Sequence, residues 1–485
     1  MKKILQIGIF LAISIAQAQN AAILKAEIER LKKDTCLSHA SWSIFVSDTK
    51  TDSIITDYNS NISLIPASIQ KTITTYSALT LLGWDYKYKT ILEYDGEIDT
   101  VSKTLYGNLY IKGSGDPTLG SETFKKQSDT VELTDQWARV LAYKIKKIHG
   151  AIIADASVFE DEMISSTWVW GDIGNYYGAG PCGLNFKDNK FALHYKSGHK
   201  KGDTTIITKI TPAIPDLKIE NYVRTGLYSN DVYIFGSPYD NLRYARGVVG
   251  MRKTDYKVEG SIPDPALFCA QSLESSLKKL NITISQPATT TRLLKSLSTS
   301  RKEIYTHQSH TIDKIVYETN VQSNNLFSES LLKTIAYETK KYGNEQNGID
   351  TLLSFWQSKG IDLKGMFMVD GSGLSRYNAI STRHMGKILN SIANGDSTLF
   401  NKFYESLPIA GKSGSLGKLC KGTRAENNVH AKSGSMTRVR SYAGYVTSKK
   451  KHLLSFAVIV NNYDCQPQLI REKLEKLMIA MAEID

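Results

Sequence analysis

The chain has 485 residues, of which 41% are hydrophobic and 22% charged, with a formal net charge of +12. This composition is typical of a globular protein with a large buried core and two or three domains, which needs no disulfide scaffold. The positive charge favours a solvated, lysine-rich surface over attraction to anionic polymers. The sequence shows no zinc finger or aromatic-interleaved basic motif that would predict nucleic-acid binding. The five cysteines form no Cys-x-x-Cys pair, so neither a metal site nor a redox site is predicted.

The first residues have the pattern of an export signal. Lys2 and Lys3 precede an apolar run over 4–15, and Ala16-Gln17-Ala18 supplies small residues for cleavage. The run is shorter than the ~20 residues that a membrane span needs. We therefore expect a signal peptide over residues 1–18 and a mature chain that is exported to the periplasm, with no membrane span.

The next elements are a helix, a hairpin and a second helix. Leu24, Ile28 and Leu31 have helical spacing. Alternating apolar residues over 42–46 and the run over 54–58 predict two strands joined by a polar turn. The run from Ser68 to Leu82 is apolar on several sides, which indicates a buried helix.

Between residues 89 and 304 the sequence has few long helical patterns. Short alternating segments between Gly, Asp and Pro turns predict a β-rich region there. Helical patterns return over 312–319, 326–337, 349–358, 384–392 and 469–481, and strand patterns lie at 440–446 and 453–460. We predict one α/β domain made of residues 19–88 and 305–485, interrupted by a β-rich insertion over 89–304 that forms one or two subdomains.

Ser68-Ile69-Gln70-Lys71 is the first motif with chemical meaning. Residues three apart share a helix face, so the Lys71 amine can reach the Ser68 hydroxyl and accept its proton. Other Ser-x-x-Lys sets include those that begin at 47, 197, 275, 330 and 415, which we expect on turns or solvated helix faces. The position of Ser68, at the start of a buried helix just after a hairpin, favours it as the nucleophile.

Two further motifs follow in order. Ser323-Asn324-Asn325 occupies the break between two helical runs, where it could direct a hydroxyl and an amide into a cleft. Lys432-Ser433-Gly434-Ser435 directly precedes the last two strands, where Gly434 permits a close approach of the backbone and Lys432 supplies a positive charge for a carboxylate. A second copy, Lys412-Ser413-Gly414-Ser415, lies in a glycine-punctuated stretch, which indicates a loop. Because an oxyanion-hole donor needs a rigid element, we assign the motif to Lys432.

These three motifs, in this order, resemble those of the penicillin-binding proteins and serine β-lactamases. Within them, the chain resembles the D-alanyl-D-alanine carboxypeptidase/endopeptidase group typified by penicillin-binding protein 4. Further matching segments are 107–110, 113–119, 177–179, 370–376 and 443–445. The departures are Ser433, where Thr is usual, and Cys420 before the third motif.

The resemblance implies an α/β (α+β) penicillin-binding/β-lactamase-like transpeptidase domain, with an antiparallel sheet flanked by helices and a large β-rich insertion. It implies a serine-type D-Ala-D-Ala carboxypeptidase/DD-endopeptidase that acts on peptidoglycan peptides without a cofactor or metal and binds β-lactams covalently. The implied disulfide joins Cys36 to Cys465, which would lie at adjacent ends of neighbouring strands.

The resemblance also implies a role for each site residue. Ser68 is the nucleophile and Lys71 the base, while Ser323 relays a proton and Asn325 holds the peptide. The backbone N–H groups of Ser68 and Ser435 form the oxyanion hole. The residues expected at the substrate's terminal carboxylate are Lys432, Ser433 and Ser435, with Gly434 between them; Asp155 and Arg376 are expected at the distal end of the peptide.

Two other functions are weighed against this one. A β-lactamase would need a segment that positions a deacylating water, and no Glu-x-x-Leu-Asn segment is present. A non-catalytic sensor would tolerate loss of motif residues, and none is lost. The sequence leaves open the balance of carboxypeptidase and endopeptidase activity, the diamino acid of the substrate, the formation of a homodimer and whether Cys36 and Cys465 are bonded.

Overall fold

The computed structural model describes residues 22–125, 131–294, 298 and 300–485. The predicted signal peptide, residues 1–18, lies outside these residues. The described chain forms two compact units: the first contains residues 22–84, 316–323 and 352–485, and the second contains those of 85–315 and 324–351. Among the residues described, no helix is both long enough and apolar enough to cross a bilayer.

The helices and strands are numbered along the chain. The helices are α1 (Ala22–Lys32), α2 (Lys71–Leu81), α3 (Leu133–Ala142), α4 (Trp170–Ile173), α5 (Pro265–Lys279), α6 (Ile312–Gln322), α7 (Asn325–Lys340), α8 (Glu345–Ser358), α9 (Thr382–Ala393), α10 (Ser397–Ser406) and α11 (Pro467–Ala482). The strands are β1 (Ser41–Asp48), β2 (Ile54–Tyr58), β3 (Lys89–Tyr94), β4 (Glu97–Asp99), β5 (Thr104–Tyr106), β6 (Leu109–Lys112), β7 (Lys147–Ile148), β8 (Ile152–Asp155), β9 (Lys190–Lys196), β10 (Ile206–Thr211), β11 (Lys218–Asn221), β12 (Arg224–Gly226), β13 (Asp231–Phe235), β14 (Leu242–Gly250), β15 (Tyr256–Ser261), β16 (Thr283–Ile284), β17 (Thr289–Thr290), β18 (Lys302–Gln308), β19 (His430–Met436), β20 (Val439–Thr447) and β21 (Leu453–Asn461).

The first unit is built on an antiparallel sheet with the order β19-β20-β21-β1-β2. Helix α11 packs on α1 and β20, and α9 packs on β1 and β21. Because the central strands are covered, β21 is buried from Leu454 to Asn461 rather than alternating. The predicted helix at Leu24, Ile28 and Leu31 is confirmed, and these three residues are buried in the core of this unit.

The segment that carries Ser68 differs from its prediction. The sequence predicts a helix from Ser68, but Ala67–Gln70 is a 3-10 helix and α2 begins only at Lys71. Ala67 has a φ of +50°, a left-handed conformation that is costly for a residue with a Cβ. In a 3-10 helix residues three apart eclipse each other, so Lys71 is stacked directly over Ser68.

The second unit is rich in short strands, as the sequence indicates. Its described sheets have the orders β17-β8-β6-β3-β18, β16-β7-β5-β4, β10-β9-β15 and β11-β14-β12, with β13 also paired to β14.

Helix α5 of this unit was not predicted from the sequence, although Asp264 caps it by accepting a hydrogen bond from Leu267 N and Pro265 occupies its first turn. These are sequence signals of a helix start. The domain limits drawn from the sequence, 19–88 and 305–485 around 89–304, stay a prediction.

A disulfide joins Cys36 to Cys465 in the first unit, which confirms the predicted pair. Their Cα atoms are 5.3 Å apart, and Asp464 N donates a hydrogen bond to Cys36 O at 2.9 Å. The antiparallel register of β1 and β21, which pairs Ser41 with Asn461, brings the segments before β1 and after β21 together. The other cysteines, at positions 182, 269 and 420, are buried free thiols.

Candidate active site

Ser68 and Lys71 are in direct contact. Lys71 Nζ lies 3.0 Å from Ser68 Oγ and donates a second hydrogen bond to Ser372 O at 2.7 Å. The Lys71 side chain is fully buried, whereas Ser68 is half-buried. The arrangement holds an amine against a partly accessible hydroxyl, as proton abstraction from a serine requires.

The loop that begins at Asp370 supports this pair. The Asp370 carboxylate is fully buried and accepts hydrogen bonds from Gly373 N at 2.7 Å and Ser375 N at 2.6 Å. Gln70 Nε2 donates to Asp370 O at 2.5 Å. A Cβ on Gly373 would lie 2.1 Å from Ala67 O, so only glycine permits this approach. The Asp-Gly-Ser-Gly segment, noted in the sequence only through its resemblance, therefore holds the 3-10 turn of Ser68 in place.

The second and third motifs meet through Lys432. This residue lies on β19, at the edge of the sheet, and its fully buried Nζ donates to Ser323 Oγ at 2.8 Å and to Ser433 O at 2.9 Å. Ser323 has a φ of +58° and lies between α6 and α7. The turn that Ser323 makes thus directs its hydroxyl at the lysine on the strand.

The electrostatics of Lys432 are unusual. Burial holds the pKa of Lys432 well below its usual range, and the positive charge of Lys71 lowers it further. Burial of an ammonium group disfavours its charged form, and a like charge nearby has the same effect. Perturbed lysines of this kind are concentrated at functional sites.

Gly434 lets β19 approach the nucleophile. A Cβ at this position would lie 2.2 Å from Ser441 Oγ, 2.7 Å from Pro66 O and 3.0 Å from Ser68 N. Ser441 Oγ also donates to Pro66 O at 2.5 Å, which ties the sheet to the segment before Ser68. The backbone of β19 therefore runs past the N–H of Ser68, with the exposed Ser435 next along the strand.

A cavity of about 750 Å³ opens beside Ser435 in the first unit. It is lined by residues 435–438 and by residues 463–467 and 469, which include Cys465 of the disulfide. Ser435 is the one residue of the three motifs among its lining residues, so the cavity lies beside the end of β19 and not at Ser68.

Asn325 begins α7 in the second unit. Its Nδ2 donates to Tyr177 O at 2.7 Å, and the neighbouring Asn324 caps α7 by accepting from Phe327 N at 3.1 Å. Tyr177 belongs to a segment that the sequence singled out only by resemblance. The structure thus fixes the amide of Asn325 through that segment.

The two residues expected at the distal end of the peptide have different surroundings. Asp155, at the end of β8 in the second unit, is 4% exposed and accepts hydrogen bonds from Arg301 Nη1 at 2.6 Å and Ser157 N at 3.1 Å. Burial by itself would raise the pKa of Asp155, but the hydrogen bonds from Ser157 and Arg301 outweigh it and hold the pKa below its usual range. Arg376, in the first unit, is exposed, and within the described residues its guanidinium has no hydrogen-bond or ion-pair partner.

The second Lys-Ser-Gly-Ser supplies a contact that sequence reasoning missed. Ser433 Oγ donates to Ser415 Oγ at 2.6 Å, while Lys412 is exposed. Ser415 belongs to the 3-10 turn Gly414–Leu416. The only sequence signal for this contact was the position of the segment just upstream of the third motif.

A buried Lys71 against Ser68, beside an antiparallel sheet with helices on both faces, defines a serine hydrolase with a penicillin-binding/β-lactamase-like fold. The crystal structure of penicillin binding protein 4 (dacB) from Haemophilus influenzae has this fold, with a TM-score of 0.76 and 23% identity over 93% of this chain and 97% of that one. The chain belongs to the D-Ala-D-Ala carboxypeptidase 3 (S13) family, whose model matches residues 24–482. It is a serine-type D-Ala-D-Ala carboxypeptidase, and the fold and enzyme class predicted from the motifs are confirmed.

Two relatives extend this comparison. The chain is 26% identical over 418 residues to the D-alanyl-D-alanine carboxypeptidase DacB of Haemophilus influenzae, which covers 84% of this chain and 83% of that protein. It is 25% identical over 466 residues to a D-alanyl-D-alanine carboxypeptidase of an Actinomadura species, which covers 93% of this chain and 83% of that protein. Each similarity spans both compact units, so the second unit is common to the relatives.

Proposed function

We propose that this chain is an exported, periplasmic enzyme that cleaves the D-alanyl-D-alanine bond of peptidoglycan stem peptides through an acyl-enzyme on Ser68. The observation that carries the proposal is the 3.0 Å contact between Lys71 Nζ and Ser68 Oγ in a buried setting. The export rests on the predicted signal peptide. No metal or organic cofactor takes part in any step.

Acylation begins at Ser68. Lys71 acts as the base in its deprotonated form: its amine accepts the proton of Ser68 Oγ, which attacks the carbonyl carbon of the penultimate D-alanine. The negative charge that develops on the carbonyl oxygen is stabilised by the N–H groups of Ser68 and Ser435, and each such donor is typically worth ~10²–10³ in rate. The close approach of Gly434 to Ser68 N supports this pairing of donors.

Departure of the terminal D-alanine needs a proton and a binding site for its carboxylate. Ser323, held by Lys432, relays the proton to the leaving amine, and Asn325 holds the peptide backbone. Lys432, Ser433 and Ser435 bind the carboxylate of the leaving D-alanine. Water then attacks the ester carbonyl, restores the Ser68 hydroxyl and releases the shortened peptide.

The same chemistry extends to two other substrates. In a cross-linked dimer the leaving amine belongs to a second stem peptide, and its departure is endopeptidase cleavage. A β-lactam acylates Ser68 without losing a leaving group, since the opened ring remains attached. The Haemophilus influenzae penicillin binding protein 4 has been crystallised with a β-lactam.

The experiment is acylation by a labelled penicillin followed by peptide mapping. We expect the label on a peptide that contains Ser68, and none in Ser68→Ala. Lys432→Ala should lose acylation and D-alanine release, whereas the matched variant Lys412→Ala should keep both. Label on another serine, or the opposite behaviour of the two lysine variants, overturns the assignment. Fast release of the penicilloyl group would favour a β-lactamase, and absence of D-alanine release would favour a sensor.

We also propose that the distal end of the stem peptide is read by Asp155, Arg376 or both. The exposed guanidinium of Arg376, which has no partner among the described residues, suits a carboxylate, whereas Asp155 is already bound by Arg301. Arg376→Ala should lower kcat/KM about tenfold for stem peptides with a charged distal carboxylate, and by much less for peptides without it. Asp155→Ala should change the preference for a distal amine. If neither variant alters the ratio between matched substrates, this assignment is wrong.

A further inference from the structure

The second Lys-Ser-Gly-Ser has no role in the mechanism above, yet it contacts the third motif. Ser415 Oγ lies 2.6 Å from Ser433 Oγ, and Ser433 is the donor. Ser433 is almost fully buried and Ser415 is exposed, so the two hydroxyls run from the strand toward solvent.

The segment that carries Ser415 is held firmly beside β19. Ile409 forms an antiparallel bridge with His430, and Ala431 N donates to Pro408 O at 2.9 Å. Within the segment, Ser413 Oγ accepts a hydrogen bond from Ile409 N at 3.0 Å. The glycine-rich stretch, which the sequence indicated to be a loop, is therefore held by backbone hydrogen bonds along the outer edge of β19, near the start of this strand.

The same segment also touches the element that carries the second motif. A Cβ on Gly414 would lie 2.8 Å from Val321 O, two residues before Ser323. Gly414 has a φ of +54°, so a larger residue would be strained as well as crowded. Ser415 is thus positioned from both β19 and the end of α6.

The hydroxyl of Ser433 needs such a partner. A β-branched threonine is stiff at χ1, whereas serine has no second substituent on Cβ and its hydroxyl samples more rotamers. A hydroxyl can donate one proton and accept others, and its proton rotates to suit the partner. The hydrogen bond to Ser415 compensates for the missing methyl group by restricting the rotamer of Ser433.

We propose that Ser415 is a positioning residue for carboxylate recognition, an inference that rests on the proposed function of Ser433. In the free enzyme Ser433 donates to Ser415. When the substrate binds, the Ser433 proton turns to the terminal carboxylate and the Ser415 hydroxyl donates to Ser433 Oγ instead. No bond other than hydrogen bonds changes in this step.

The test compares a peptide ending in D-Ala-D-Ala with the same peptide bearing a C-terminal carboxamide. Ser415→Ala should raise KM about five- to tenfold for the acid, leave kcat within about twofold and leave the carboxamide peptide unaffected, as expected for one lost hydrogen bond in a charge-assisted chain. Ser415→Thr should restore the wild-type KM. Ser433→Thr added to Ser415→Ala should remove most of the defect, because threonine fixes its own rotamer.

Lys412→Ala is the matched control in the same tetrapeptide and should behave as wild type. An equal rise in KM for both peptides, or a defect that Ser433→Thr does not relieve, overturns the proposal, since both point to general disruption of the loop. A wild-type KM in Ser415→Ala overturns it as well. Penicillin acylation of wild type separates this proposal from the proposed function. If wild type is not acylated on Ser68, the proposed function is wrong. If wild type is acylated but the KM values of the variants contradict the expectation, only the role of Ser415 is wrong.

Discussion

Lys432 is a residue of the site whose burial lowers the stability of the folded protein. It is fully buried, its pKa is held well below its usual range by burial and by the charge of Lys71, and it donates to Ser323 and Ser433. Such a lysine destabilises the fold while it is protonated, because its charge is removed from water. Stability is commonly lost at functional sites in this way.

Lys432→Met should therefore change how stability depends on pH. Between the lowered pKa of the folded state and the ordinary value of 10.5, the unfolded chain binds more protons, so wild-type stability rises with pH through this window. Methionine cannot titrate. We expect the Tm of wild type to rise relative to that of Lys432→Met as pH increases from 6 to 10, by thermal unfolding followed with circular dichroism.

The exposed residue Lys412 provides the control for this pH experiment. Lys412→Met and wild type should give parallel curves of Tm against pH. A constant difference between wild type and Lys432→Met across the range would show that Lys432 titrates normally.

The elements of the site depend on close approaches that only glycine allows. Strand β19 passes the segment that carries Ser68, with Gly434 at the contact. The 3-10 turn of Ser68 is in turn held by Gly373 from the other side. Both glycines thus help to position Ser68, because a side chain at either position would push the neighbouring backbone away.

Gly434→Ala should lower the rate of penicillin acylation by about 10²-fold, because displacement of a reacting group by ~1 Å has an effect of that size. The added Cβ would overlap Ser441 Oγ and Pro66 O and push β19 away from Ser68. The measurement is the second-order acylation rate. Gly171→Ala is the matched control, since nothing lies within 4 Å of its added Cβ. Normal acylation of Gly434→Ala, in a protein with unchanged Tm, would contradict this account of β19.

At the scale of the whole molecule, the Cys36–Cys465 disulfide connects the two ends of the chain. The bridge spans 429 residues of sequence and joins the segments before β1 and after β21. A cross-link that closes a long loop restricts the unfolded chain, and native disulfides typically contribute about 2–4 kcal/mol. Since the chain has two compact units, this contribution belongs to the transition in which the first unit unfolds.

Replacement of both Cys36 and Cys465 by serine should lower the Tm of that transition by several degrees. A reducing agent should lower the Tm of wild type to the same value and leave the variant unchanged. The measurement is calorimetry with and without reductant, combined with non-reducing peptide mapping. Detection of Cys465 as a free thiol in the unreduced wild-type protein would contradict the assignment.

The sequence by itself determined the class of this protein and most elements of the first unit. Ser68, Lys71, Ser323 and Lys432 could be selected because each lies next to a strong pattern: a buried helix, a break between helices or a pair of final strands. Periodicity and turn residues act locally, so the strands β1, β20 and β21 and the helices α7 and α9 were predicted within a few residues of their limits.

Only the tertiary structure decided which groups from distant parts of the sequence touch. The 3-10 turn at Ser68 arises from its packing against β19 and the Asp370 loop, because no local propensity favours a φ of +50° at Ala67. Asp155 and Arg301, which form an ion pair, are 146 positions apart in the sequence. Ser415 and Ser433, which are hydrogen-bonded, are 18 positions apart. Neither leaves a periodic signal, because a hydrogen bond between distant side chains depends on where the backbone carries them and not on their neighbours in sequence.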